Sequence, residues 1–426
     1  TTDARAPHGG VHSCKEKWGL ARSKTENLSG QNTGYTCDLL FFSSLKPSAQ
    51  HDGMIKKEDI RRLVFRTGLS VMKVSLKNLV MTALTCSLMG CTSLNFYTQA
   101  VTGQVQLLLD RQPIDIVLAE PTVSQEVKNK LLLSRDVLKF AEEELGLPVE
   151  DSYSSYVDTG KRFVVWNVFA AEEFSAELQT FCYPIAGCVS YRGFFKEGAA
   201  QAFASKLRQQ GYEIFVGGVA AYSTLGWFDD PLLNTFMVRT DEKLAALLFH
   251  ELAHKVMYVP GDTRFNESFA TAVERIALSR WLAARGQPDA FDLHLAAEER
   301  SRAVIKLIAV TRNQLAEIYR GEDPDKVKRE RKEIAIAMLQ SNYKSLKANW
   351  HDPETTFPEF EFWMQGEINN ARLGTVADYN DLVPLFEKVY ARHGEDLPSF
   401  FETCRDLANL TADLRISRLE SLAAGS

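Results

Sequence analysis

One five-residue segment constrains this chain more than any other: His250, Glu251, Leu252, Ala253 and His254, at the end of the apolar run that begins at Leu244. Thr240 can cap a helix here, and Asp241 and Glu242 place negative charge in its first turn, so the segment is predicted to be helical. On a helix the two histidines lie one turn and about 40° apart, so both imidazoles leave the same face and can reach one metal ion. Glu251 is their neighbour on the wheel. It can hold a water molecule without taking a coordination position, which is the placement a general base needs. Two histidines and a glutamate could also form a solvated polar face, so the surrounding sequence decides.

Three features favour the metal. Asn266, Glu267, Ser268, Phe269 and Ala270 open the next predicted helix, and Glu267 follows His254 by 13 residues, enough loop to fold it back as a third ligand. Two histidines and one glutamate with a fourth position left for water form a zinc set, so one zinc ion is expected. The neighbours Leu247, Leu248, Phe249, Leu252, Val256, Phe269 and Ala270 are apolar, which suits a buried ion. Finally, a candidate export signal lies upstream, and a His/Glu site survives an oxidising compartment where a cysteine site would be at risk.

That signal also shows in the charge. Residues 1–90 hold 13 Lys and Arg against 7 Asp and Glu, and residues 91–426 hold 36 against 48, about +6 and −12 within an overall −6. Met72 to Lys77 is a short positive segment, Leu79 to Met89 is apolar and uncharged, and Gly90 and Cys91 follow. The apolar stretch is too short to span a bilayer, which takes about 20 residues. A buried hydrophobic segment is one reading of it. The other is a bacterial lipoprotein signal over residues 72–90, with Cys91 lipidated and the protein held at the periplasmic face of the outer membrane. Residues 1–71 are read as a non-native or disordered extension, with translation starting at Met72 or Met54. The negative balance argues against a nucleic-acid partner, and 45% hydrophobic with 24% charged residues describes a folded protein rather than a disordered or polytopic one.

Hydrophobic periods divide the remainder. Pro121 to Leu145 reads as a helix stopped by Gly146 and Pro148. Tyr153 to Val157 and Arg162 to Phe169 read as strands around Asp158 and Gly160, a hairpin signal. A further strand fits Thr180 to Tyr183 or Val189 to Tyr191. A helix follows over Lys196 to Gln210, then a strand over Tyr212 to Val216. From Asp241 onward the segments are helical, including 266–285, 291–320 and 325–346. The expectation is an α+β fold: residues 91–240 as the α+β part of a catalytic unit with a small mixed sheet, and residues 241–426 as a largely helical part carrying the metal site. Cys182 and Cys188 flank Pro184 and Gly187; a disulfide and two free thiols both fit them.

His250-Glu251-x-x-His254 followed by Asn266-Glu267-x-x-Ala270 resembles the zincin metallopeptidases that use glutamate as third ligand. The stretches 249–254, 258–270, 182–194 and 218–232 together resemble the bacterial family whose members are named zinc aminopeptidases from their metal motif. That resemblance covers residue 91 to the end. It implies a zincin-like fold, His250, His254 and Glu267 as zinc ligands, Glu251 as base and proton shuttle, and a peptide substrate. The alternatives are a zinc endopeptidase and a non-catalytic envelope binding or assembly lipoprotein on the same scaffold.

Other residues are open in role. Tyr222 and Tyr258, and more remotely Tyr379, could donate a hydrogen bond to an oxyanion or simply pack. Thr271 stands where some zincins place an aspartate to orient a ligand, so Asp262 or Glu274 is expected to do this, with a turn role as the alternative for Asp262. Gly217 to Trp227 reads as an exposed strand that could bind a peptide edge to edge. Asp229 and Asp230 could hold a free α-amino group, although a turn suits that composition better. His294, His351 and His393 lack ligand spacing and are expected at the surface.

Overall fold

The computed structural model describes residues 102–183, 187–220, 229–350, 358–376 and 379–425. The signal segment, Cys91 and Tyr222 lie outside the described residues.

After helical residues 102–109 come strand β1 (Gln112–Pro113), helix α1 (Ile114–Ala119) and helix α2 (Gln125–Glu143). Ser124 starts α2 by accepting from the Val127 N–H. Three small sheets follow. In the first, β2 (Ser155–Val157) lies between β1, antiparallel, and β8 (Leu232–Leu233), parallel. In the second, β3 (Val165–Ala171) lies between β6 (Arg192–Phe194) and β7 (Glu213–Val219), both antiparallel to it. The third pairs β4 (Phe181–Tyr183) with β5 (Gly187–Val189), and a disulfide joins Cys182 to Cys188 across it.

Two sequence expectations are corrected here. The hairpin around Asp158 and Gly160 does not form, since β2 and β3 belong to different sheets. Its turn is captured by a side chain: Thr159 donates from both its N–H and its hydroxyl to Asn234 Oδ1, each at 2.9 Å. The chain is thereby led away before it can fold back. Of the stretch expected to be an exposed strand from Gly217 to Trp227, Gly217 to Val219 form the buried end of β7, and residues 221–227 lie outside the described residues. A Cβ at Gly218 would stand 2.3 Å from the Phe163 ring, so glycine is what admits that ring.

Helix α3 (Glu197–Gln209) follows β6 and packs against the β6–β3–β7 sheet, and Gly211 (φ 91°) turns the chain from it into β7 at a backbone angle that glycine adopts freely. From α4 (Asn234–Met237) onward the described elements are helical: α5 (Asp241–Val256), α6 (Thr263–Ala284), α7 (Pro288–Arg320), α8 (Asp325–Ala348), α9 (Pro358–Gln365), α10 (Asn370–Leu373), α11 (Val383–Arg392), α12 (Leu397–Ala408) and α13 (Ala412–Ala424). The architecture is α+β with helix predominating. The main core gathers α2, α5, α6, α11 and α12 with residues of the sheets, around Leu131, Leu248, Phe249, Phe269, Phe386 and Phe400. A second core holds α7 and α8 together through Ile308, Leu315, Leu339 and Tyr343. Among the described residues no helix is long and apolar enough to cross a membrane.

Candidate metal centre

Helix α5 begins where Thr240 accepts from the Lys243 N–H. Its length brings His250 and His254 to one face, with ring centroids 4.9 Å apart. Helix α6 lies against it, and a short loop returns the chain between them. Asn266 shapes that loop, its side-chain oxygen accepting from the Val259 N–H at 2.8 Å and its amide donating to the Val259 carbonyl at 2.7 Å, all of it buried. On the other side of Glu267, the Ser268 hydroxyl donates to the Tyr379 carbonyl and accepts from the Leu382 N–H. Glu267 is therefore pinned through both neighbours.

The result is convergence. Glu267 Oε2 lies 3.3 Å from His250 Nε2, and Glu267 Oε1 lies 3.7 Å from His254 Nε2. Ligands about 2.0–2.1 Å from a tetrahedral ion stand about 3.3–3.4 Å from one another, so these separations fit a metal ion of zinc's size. His250 is 1%, His254 5% and Glu267 5% exposed, and such buried polar groups belong around a charge. These three residues could hold the ion. Glu251, next on the helix, is half-buried.

Glu274 stands seven residues after Glu267, two turns along the same face of α6. Its Oε2 lies 2.9 Å from His250 Nδ1, which directs Nε2 towards Glu267. In the metal-free site, burial opposes a charge on His250, yet the hydrogen bonds to Glu267 and Glu274 outweigh it and push its pKa up to about 10. Glu267 shows the reciprocal effect: burial raises its pKa, but the positive His254 and His250 hold it below the usual carboxylate value.

An outer layer was not legible in the sequence. His294, on α7, is half-buried rather than fully at the surface, with Nε2 3.9 Å from Glu274 Oε1 and 3.6 Å from Glu298 Oε1. Burial disfavours its charge, but Glu298 and Glu274 raise its pKa nonetheless. Arg275 closes the layer, meeting Glu298 at 2.8 Å and Glu387 at 3.1 Å. Glu274, His294 and Glu298 form a second His/Glu cluster. Glu274 also faces His250 and Glu298 also accepts from Arg275, so this cluster adjoins the first. The available signal was His294 and Glu298 four apart on one helix face, meeting a helix that crosses it.

The remaining candidates separate. Asp262 does not orient a ligand: one oxygen caps α6 by accepting from the Phe265 N–H, and the other pairs with Arg415. Tyr258 and His254 meet in a T-shaped ring contact, centroids 6.2 Å apart. Tyr379 serves through its carbonyl, as above. Thr271 donates to Asn380 Oδ1 at 3.2 Å. Asp230 is buried and its carbonyl accepts from Tyr153, while the Asp229 carbonyl accepts from Arg111. His393 lies against the Thr403 hydroxyl at 3.0 Å, far along the chain from the centre.

Residues 95–419 match the model of a protein family described as "Putative aminopeptidase". No curated protein and no solved structure matches the chain.

Proposed function

From its membership of that aminopeptidase family, whose model matches residues 95–419, we propose that this protein is a zinc-dependent peptidase acting on peptides with a free amino terminus. The observation that carries the reading is the convergence of His250 Nε2, His254 Nε2 and a Glu267 carboxylate, with Glu251 beside them on the same helix. Zinc held there would polarise a peptide carbonyl and make water a usable nucleophile near neutral pH.

The rest of the chemistry belongs to side chains. Glu251 takes a proton from the attacking water as its oxygen bonds to the carbonyl carbon, and then delivers that proton to the departing nitrogen as the C–N bond breaks. Glu274 keeps His250 in the tautomer that offers Nε2. Tyr258, beside His254, is the proposed hydrogen-bond donor to the oxyanion. A zincin-like arrangement and lipidation of Cys91, placing the enzyme on the envelope, belong to the same proposal and rest on the sequence motifs.

The reading is tested by assaying the zinc-loaded chain against amino-acid p-nitroanilides and against the same substrates with blocked amines. One zinc per chain, turnover of the free-amine substrates and loss of that turnover with a chelator are expected. Failure to bind zinc, or turnover indifferent to the chelator, contradicts it.

A further inference from the structure

Beyond the first centre, helices α6 and α7 bring a second set of donor atoms together. His294 and Glu298 stand four residues apart on α7, so both side chains leave one face of that helix, and Glu274 meets them from α6. His294 Nε2 lies 3.9 Å from Glu274 Oε1 and 3.6 Å from Glu298 Oε1. The side chains of His294, Glu274 and Glu298 are 12%, 14% and 22% exposed, so the cluster lies beneath the surface rather than on a wet charged face.

Each carboxylate has one oxygen engaged elsewhere. Glu274 Oε2 faces His250 Nδ1 at 2.9 Å, and Glu298 Oε2 accepts from Arg275 at 2.8 Å, which leaves both Oε1 atoms to His294. Yet the imidazole hydrogen-bonds to neither, since both separations exceed the reach of an N–H···O bond, about 3.2 Å. His294 Nε2 is itself sealed from solvent and has no hydrogen-bond partner among the described residues. A buried polar nitrogen held this way costs free energy unless something answers it. A shared proton would draw the partners into hydrogen-bond contact, whereas an ion holds its donors apart. Atoms of one coordination shell, each about 2.0–2.6 Å from the ion, stand about 3–4 Å from one another. That is the spacing of this cluster.

We propose that Glu274, His294 and Glu298 form a second divalent-cation site, with water completing its shell. The donor set decides the class of ion. The first centre offers two imidazoles and one carboxylate, which suits zinc, whereas this cluster offers one imidazole and two carboxylate oxygens, a harder mixture that suits Mn2+ better. Three carboxylates, Glu274, Glu298 and Glu387, are met by the cations Arg275 and Arg302. The local charge therefore favours a cation only slightly, and the affinity should be modest. Glu274 joins the two sites, backing His250 with one oxygen and offering the other to the second ion.

The test uses the full chain loaded with one equivalent of zinc and titrated with Mn2+ up to about 1 mM, the weak end of protein divalent-cation sites. Loss of the free-ion electron paramagnetic resonance signal reports binding. One Mn2+ per chain is expected, with the zinc retained. Pulsed resonance on the bound ion should show coupling to one imidazole nitrogen, that of His294, whereas Mn2+ in the first centre would couple to two, from His250 and His254. His294→Ala and Glu298→Gln, each checked for folding by its urea midpoint, should weaken Mn2+ binding at least about tenfold, a loss that even outer partners of a metal ligand produce. No Mn2+ binding, bound Mn2+ coupled to no nitrogen or to two, or unchanged binding in either folded variant would overturn the site. The wild-type nitrogen coupling decides the matter if the variants do not fold. No arm of the test involves turnover. A chain that takes up no zinc defeats the peptidase reading, and the one-nitrogen signal still decides the second site.

Discussion

His250 Nδ1 lies 2.9 Å from Glu274 Oε2, so the imidazole that faces Glu267 with one nitrogen is held from behind by a second carboxylate. Partners of this kind fix ring orientation and raise ligand basicity. Glu274→Gln keeps the shape and removes the charge. Zinc affinity, measured by competition with a chromogenic chelator, is expected to fall roughly 10- to 100-fold with the fold intact. Unaltered affinity would show that Glu274 does not hold the ligand.

Asn266 is expected to act on the metal through the backbone. Replacing it with Ala leaves the buried Val259 N–H and carbonyl without their partners. Stability should drop by roughly 2–4 kcal/mol from two orphaned buried groups. Because Glu267 is the next residue, zinc affinity should weaken as well. Chemical unfolding with and without zinc measures both, and a stability loss with full zinc affinity would separate the loop from the site.

Removing the metal should make stability depend on pH. In the metal-free protein the His250 pKa is raised from 6.5 to about 10, chiefly by hydrogen bonds to Glu267 and Glu274 that overcome burial. A raised histidine pKa stabilises the fold fully below about 6.5 and loses that contribution as pH rises through about 10. Metal-free protein should therefore lose stability between pH 7 and 10, while zinc-loaded protein, whose His250 carries no proton to lose, should not lose that contribution. For the same reason zinc binding at pH 7 should release a proton, and its affinity should rise with pH by up to about tenfold per unit. Parallel unfolding curves across this range for the two forms would contradict the arrangement.

What could be read from the chain was local. The four-residue spacing of His250 and His254 and the cap at Thr240 are carried by near neighbours, and both appear in the structure; the helix expected to open at Asn266 begins three residues earlier, at Thr263, where Asp262 caps it. Glu274 was legible as one of two carboxylates near α6, and geometry chose it because Asp262 is spent on the helix cap and Arg415. His294 was not legible. Its partner Glu274 comes from a second helix, and nothing in its own sequence surroundings separates a half-buried histidine from an exposed one. The false hairpin has the same cause: Asn234, some 75 residues away, takes the hydrogen bonds of the turn. Tyr153 read only as the start of a strand; the strand begins at Ser155, and Tyr153 (φ 61°) instead donates its N–H to the distant Asp230 carbonyl.

In the proposed reaction Glu251 moves the proton and the metal is held by His250, His254 and Glu267. Glu251→Gln keeps size and hydrogen bonding but accepts no proton at working pH. Measured side by side with the wild type, it should bind one zinc, unfold at an unchanged midpoint within about 0.5 kcal/mol, and lose kcat on a free-amine p-nitroanilide by at least about 100-fold, the usual contribution of a general base. Full turnover by the zinc-loaded Glu251→Gln protein would contradict the account.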